Sequence, residues 1–127
     1  MQTVYVYVDD SDNAATEALL VSAFRQFADQ WSSIGAFAVN QRHERTPDLR
    51  PNDLPDWFIG LNVPLDQFGP TQAAELVPFA RTLARATGQE FVVGVASASG
   101  ITDDLIFLGP DAGEREYHDL LQHVAGL

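Results

Sequence analysis

Near the N-terminus the hydrophobic pattern changes its period from two to about 3.6, and a chain buries both stripes only by laying a helix back on a strand. Val4, Val6 and Val8 alternate with Thr3, Tyr5 and Tyr7, which predicts a strand from Thr3 to Asp9. Leu20, Ala23, Phe24, Phe27, Ala28 and Trp31 then recur at helical spacing, which predicts an amphipathic helix over about residues 14–31. The run Asp9-Asp10-Ser11-Asp12-Asn13 between them reads as a turn able to supply the helix N-cap.

The same reasoning continues along the chain. Ile34 to Asn40 is a second strand, and the prolines Pro47, Pro51 and Pro55 make the following stretch a loop. Trp57, Ile59, Leu61 and Val63 alternate with Phe58, Gly60 and Asn62 in a third strand ended by Pro64. Gly69-Pro70-Thr71 opens a second helix whose stripe is Ala73, Leu76, Val77, Ala80, Leu83 and Ala84, stopped by Gly88. Pro78 within it requires a bend or a fresh helix start near Val77. Phe91 to Ser97 is a fourth strand, Ser97 to Gly100 a hairpin turn, and Asp104 to Leu108 a fifth strand. Asp111 with Glu114 predicts a capping box for a last helix with Tyr117, Leu120, Leu121 and Val124 on its inner face.

The order β-α-β-β-α-β-β-α predicts an α+β fold in one domain spanning residues 1–127. Its first six elements match the ferredoxin-like, or split βαβ, plan, with a C-terminal hairpin strand and helix added. The sheet is expected to be mostly antiparallel with helices on one face, because parallel neighbours need a crossover of about a dozen residues. The alternative is a doubly wound parallel sheet. Val4, Val6, Val8, Leu20, Phe24, Phe27, Ile59, Leu61, Leu76, Leu83, Val93 and Leu121 are the expected core. Gly60 and Gly94, inside strands, imply close approach of backbone or side chain.

Charge narrows the functions available. Asp and Glu number 18 against 7 bases, all arginine, for a net charge of −11. With no cysteine and no lysine, thiolate catalysis, cysteine-ligated metal sites, Schiff-base chemistry and a P-loop lysine are excluded. The charge opposes nucleic acid and anionic membrane, and favours a basic protein partner. The apolar stretch Val4–Val8 is too short for a signal peptide or a membrane span, so a cytoplasmic location is expected.

The candidate partner-binding residues are acidic and aromatic. The acids are Asp9, Asp10 and Asp12 after the first strand, Asp103 and Asp104 in the turn entering the fifth, and Asp111, Glu114 and Glu116 before and in the last helix. Tyr5, Tyr7 and Phe58 are expected to share the sheet face opposite the valines. His118 and His123 lie about 140° apart around a helix and do not form a metal pair; Glu114 and Asp119 precede them at i,i+4 spacing. His43 has no partner in any catalytic motif. No catalytic residue, metal site or cofactor is expected.

Two resemblances bear on function. Val6-Tyr7-Val8-Asp9-Asp10-Ser11 is similar to the first acidic turn of response-regulator receiver domains, but the third strand has no aspartate in the phosphorylated place and the chain has no lysine. Leu54–Asn62, Thr87–Gly94 and Asp103–Gly109 resemble segments of the small acidic immunity proteins of bacterial polymorphic and contact-dependent toxin systems. That resemblance implies a non-catalytic protein that binds and neutralises a cognate toxin, with a basic toxin domain as partner. The alternative is a small-ligand binding or degenerate receiver-like regulatory domain using the acidic turn. Oligomeric state is left open.

Overall fold

The computed structural model describes residues 2–9, 15–42, 57–99 and 101–126, with the backbone alone at 41, 42, 57 and 58. Five strands, β1 (Thr3–Val8), β2 (Phe37–Arg42), β3 (Trp57–Pro64), β4 (Phe91–Ala96) and β5 (Thr102–Leu108), form one sheet in the order β2-β3-β1-β4-β5. Every neighbouring pair is antiparallel. The doubly wound parallel alternative is therefore not formed.

The valine alternation of β1 decides which way the sheet faces. Val6 stands opposite Leu61 of β3 and Val93 of β4, and all three are fully buried. On this face lie α1 (Glu17–Gln30), α2 (Pro70–Thr87) and α3 (Glu114–Ala125), whose buried residues Leu20, Phe24, Leu76, Leu83 and Leu120 join one core with the valines. Phe24 meets Phe79 and Phe91 edge-on, at centroid distances of 5.4 and 5.7 Å, and Phe27 stacks on Phe79 at 4.2 Å. Such pairs add about 0.5–1.5 kcal/mol each beyond their area, and here they tie α1 to α2 and the sheet.

Local chemistry explains the element ends. Pro70 occupies the first position of α2, where its missing N–H costs nothing, and Gln72 Oε1 accepts the Gly69 N–H at 2.9 Å. Gly88 ends the helix at φ 73°, a left-handed conformation open to glycine without a Cβ clash. Pro78 neither ends nor restarts α2, which runs through it.

Several expected boundaries move. α1 begins at Glu17 behind Thr16, so the acidic turn does not cap it. Ile34 belongs to a 3-10 turn (Ser32–Ile34) closed by Gly35 at φ 86°, and β2 starts at Phe37. α3 is capped by Gly113 with Glu114 already helical, so the Asp111–Glu114 capping box does not form. Leu120, fully buried, anchors α3, while Leu121 packs at the margin.

α3 completes the helical layer against α2 and β5. Arg81 Nη1 donates to the Ala112 carbonyl at 3.1 Å and Arg85 Nε to that of Pro110 at 2.8 Å, fixing the connection before α3 to the side of α2. The opposite face of the sheet carries no helix among the described residues.

Candidate partner-binding face

The helix-free face is built from alternate residues of all five strands. Tyr5 and Tyr7 of β1 occupy its centre, with ring centroids 5.1 Å apart and planes inclined by 18°. They lie close to the sheet because glycines stand opposite them: Gly94 of β4 faces Tyr5 and Gly60 of β3 faces Tyr7. A Cβ on Gly94 would collide with the Tyr5 hydroxyl and Cζ, and one on Gly60 would collide with the Val6 carbonyl and come within 2.8 Å of Tyr7 Cδ1. The two strand glycines are thus accounted for by close approach, as their sequence context implies.

Each tyrosine hydroxyl finds an acceptor. Tyr7 donates to Asn62 Oδ1 at 2.7 Å, and Tyr5 donates to the Asp104 carboxylate across β4. A bulge makes the second contact possible. Val93 pairs with Ile106 but Gly94 pairs with Asp104, so Leu105 is the extra residue in β5. Without it, strict alternation would turn Asp104 toward the helices; with it, Asp104 emerges beside Tyr5.

Burial raises the Tyr5 phenol far above its ordinary ionisation range, reinforced by the hydrogen bond to Asp104 and then by the negative charges of Asp104 and Asp103. The Tyr7 phenol is raised as well, by burial, against the opposing effect of its bond to Asn62. Both hydroxyls therefore remain protonated donors at neutral pH.

Apolar side chains flank this polar centre. Phe107 on β5 is 52% exposed and Phe37 on β2 is 57% exposed, with half-buried Val39 next along β2. Asp103 and Asp104 are both exposed and lie within β5, which begins at Thr102, not in a turn entering the strand; Asp104 stands on this face, while Asp103, paired with Val95, stands on the other. Asp104 and the aromatic face, separate candidates in the sequence, meet at the Tyr5–Asp104 bond.

The other candidates stand apart. Asp9 is exposed where β1 ends, its N–H donated to the Glu90 carbonyl at 2.8 Å. Asp10 and Asp12 lie outside the described residues, as does the side chain of Phe58. Asp111 and Glu114 sit in the connection to α3 and its first turn. Glu114 pairs with His118 at 3.5 Å as its spacing predicts, but Asp119 makes no such pair with His123. Trp31 is buried as expected and donates from Nε1 to Glu75 Oε2 at 2.7 Å, while the Trp57 side chain is outside the described residues.

No family model, curated protein or solved structure matches this chain. Among the described residues no three His, Asp or Glu side chains converge as metal ligands would, and no helix is long and apolar enough to cross a membrane. The helix-free face combines protonated donors, the exposed Asp104 carboxylate and exposed aromatic carbon on a five-stranded base, which suits recognition of another molecule's surface.

Proposed function

We propose that this chain is a non-catalytic binding protein whose partner is a basic protein, docked on the β5 side of the helix-free sheet face. The observation that carries the reading is the Tyr5–Asp104 hydrogen bond beside exposed Phe107. It holds a carboxylate in fixed geometry next to an aromatic contact. Protein interfaces concentrate energy in aromatic anchors, and charge complementarity sets the rate of encounter. A net charge of −11 attracts a basic surface and opposes nucleic acid and anionic membrane.

In its narrower form, the partner is a bacterial toxin domain and the chain is a cytoplasmic immunity protein. Small size, acidity and the resemblance of Leu54–Asn62, Thr87–Gly94 and Asp103–Gly109 support this form. The fold supports a ferredoxin-like core: β4-β1-β3-β2 is the strand order of a split βαβ unit, with β5 and α3 appended.

The test is to express any toxin-like domain found encoded next to this gene and to measure its binding kinetics at two salt concentrations; absence of such a neighbour would count against the immunity form. Wild type should associate faster at low salt, because the Debye length shortens as salt rises. Asp103→Asn with Asp104→Asn should slow association, and Phe107→Ala should speed dissociation. Rates independent of salt and of all three substitutions would overturn the proposal.

A further inference from the structure

Strand pairing sorts the helix-free face into rows. Phe107 stands opposite Val92 and Asp104 opposite Gly94. The two β5 residues therefore share this face about 7 Å apart, the span of two residues along β4. Both are exposed. Tyr5, itself buried, donates to Oδ1 of Asp104, and the second carboxylate oxygen remains able to accept. The fold brings no cation to it. Arg25, Arg81, Arg85 and Arg115 lie in α1, α2 and α3, on the far side of the sheet, and among the described residues no ion pair involves Asp104.

We infer that this acid–aromatic pair is an arginine site: the basic partner lays one arginine side chain across Phe107 and sets its guanidinium on the second oxygen of Asp104. The inference rests on the partner-binding reading of this face and narrows it to one residue type. Charge calls for a cation, since the carboxylate has no counter-charge on its own face and the net charge of −11 draws cations to the whole surface. The neighbouring ring decides which cation. A guanidinium is planar and weakly hydrated, so it stacks flat on an aromatic ring while its N–H groups donate in its own plane. It meets Phe107 with its face and Asp104 with its edge. A lysine ammonium is a compact, strongly hydrated point charge that gains the carboxylate but little from the ring. The Tyr5 bond contributes pre-organisation, because a carboxylate already held in place loses less freedom when the arginine arrives.

NMR titration of the intact, isotope-labelled chain with two short capped glycine peptides, one carrying a central arginine and the other a central lysine, tests this. The arginine peptide should shift the amide signals of Asp104 and Phe107 and bind about threefold more tightly than the lysine peptide, the size of an exposed cation–π contact. Phe107→Leu keeps an apolar side chain at an exposed position and should abolish that preference. Asp104→Asn still offers Tyr5 an amide oxygen, so it should keep the wild-type fold and weaken arginine binding about fivefold or more. No shift at these two positions, equal affinity for the two peptides, or an arginine preference that survives Phe107→Leu would overturn the inference. None of these outcomes sinks the basic-partner reading, which falls only if association with the partner ignores salt and substitution.

Discussion

The Tyr5 hydroxyl donates a hydrogen bond to the Asp104 carboxylate, joining the central strand to the edge strand β5 across β4 and linking residues 99 apart in the chain. The ring passes over Gly94, the residue that faces both Tyr5 on one side and Asp104 on the other. A row of one aromatic, one glycine and one acid thus fixes the position of an exposed carboxylate by burying its donor.

This relationship separates two neighbouring acids that look alike in sequence. Asp104→Ala should destabilise the fold by about 1–2 kcal/mol, since it leaves the buried Tyr5 hydroxyl without its acceptor. Asp103→Ala should stay within about 0.5 kcal/mol, as exposed charges usually do. Urea denaturation of both variants, of Tyr5→Phe and of the Asp104→Ala/Tyr5→Phe double variant gives the coupling directly. Additive losses would show that the bond contributes nothing.

The strand glycines make a second prediction. Gly94→Ala drives a methyl into the Tyr5 hydroxyl and ring and to within 2.5 Å of the Asp103 carbonyl, an overpacking that should cost about 1–3 kcal/mol. Gly60→Ala meets the Val6 carbonyl as well as Tyr7. Backbone cannot rotate aside, so adding Gly94→Ala to a Tyr5→Ala background, or Gly60→Ala to a Tyr7→Ala background, should relieve only part of the cost. Full relief at either position, measured by urea denaturation, would contradict the geometry.

The period of the apolar residues made the antiparallel sheet and its single helical layer legible, because Val4, Val6 and Val8 must face something and Leu20, Phe24 and Phe27 repeat at the spacing that can cover them. Gly60 and Gly94 signalled close approach. The bulge did not show: Thr102 to Leu108 carries no glycine or proline to mark it, and shifting one residue is enough to move Asp104 to the other face. That is why Asp104 and Tyr5 read as separate candidates. The Asp111–Glu114 pattern misled for a related reason, since Gly113, held beside α2 by the Arg81 bond to Ala112, starts the helix later than the motif implies.

The choice between adjacent leucines in α3 is a third prediction. Leu120 is fully buried in the shared core, while Leu121 lies at its margin. Leu120→Ala should cost about 2–5 kcal/mol through lost burial and the cavity left behind. Leu121→Ala should cost clearly less. Chemical denaturation of the two variants checks the ranking, and a reversed order would mean that α3 is rotated about its axis.

The fourth prediction uses what the chain lacks. With no lysine and no cysteine, the three tyrosines are the side chains left to ionise near pH 10. In the unfolded chain all three should do so at about pH 10. In the fold, burial raises both Tyr5 and Tyr7, so the native state holds protons that the unfolded state releases. The sign follows from linkage: where the native state binds more protons, stability falls as pH rises. The contribution of these two phenols is therefore complete below about pH 10 and is lost progressively above it. Urea midpoints measured from neutral pH upward should be flat and then drop above that point. Absorbance in the phenolate band should show Tyr5 and Tyr7 ionising at higher pH in the folded chain than in urea. Tyr5→Phe should remove part of the alkaline drop while keeping the ring over Gly94. A drop of unchanged size in Tyr5→Phe would mean that the Tyr5 hydroxyl is not held as its bond to Asp104 requires.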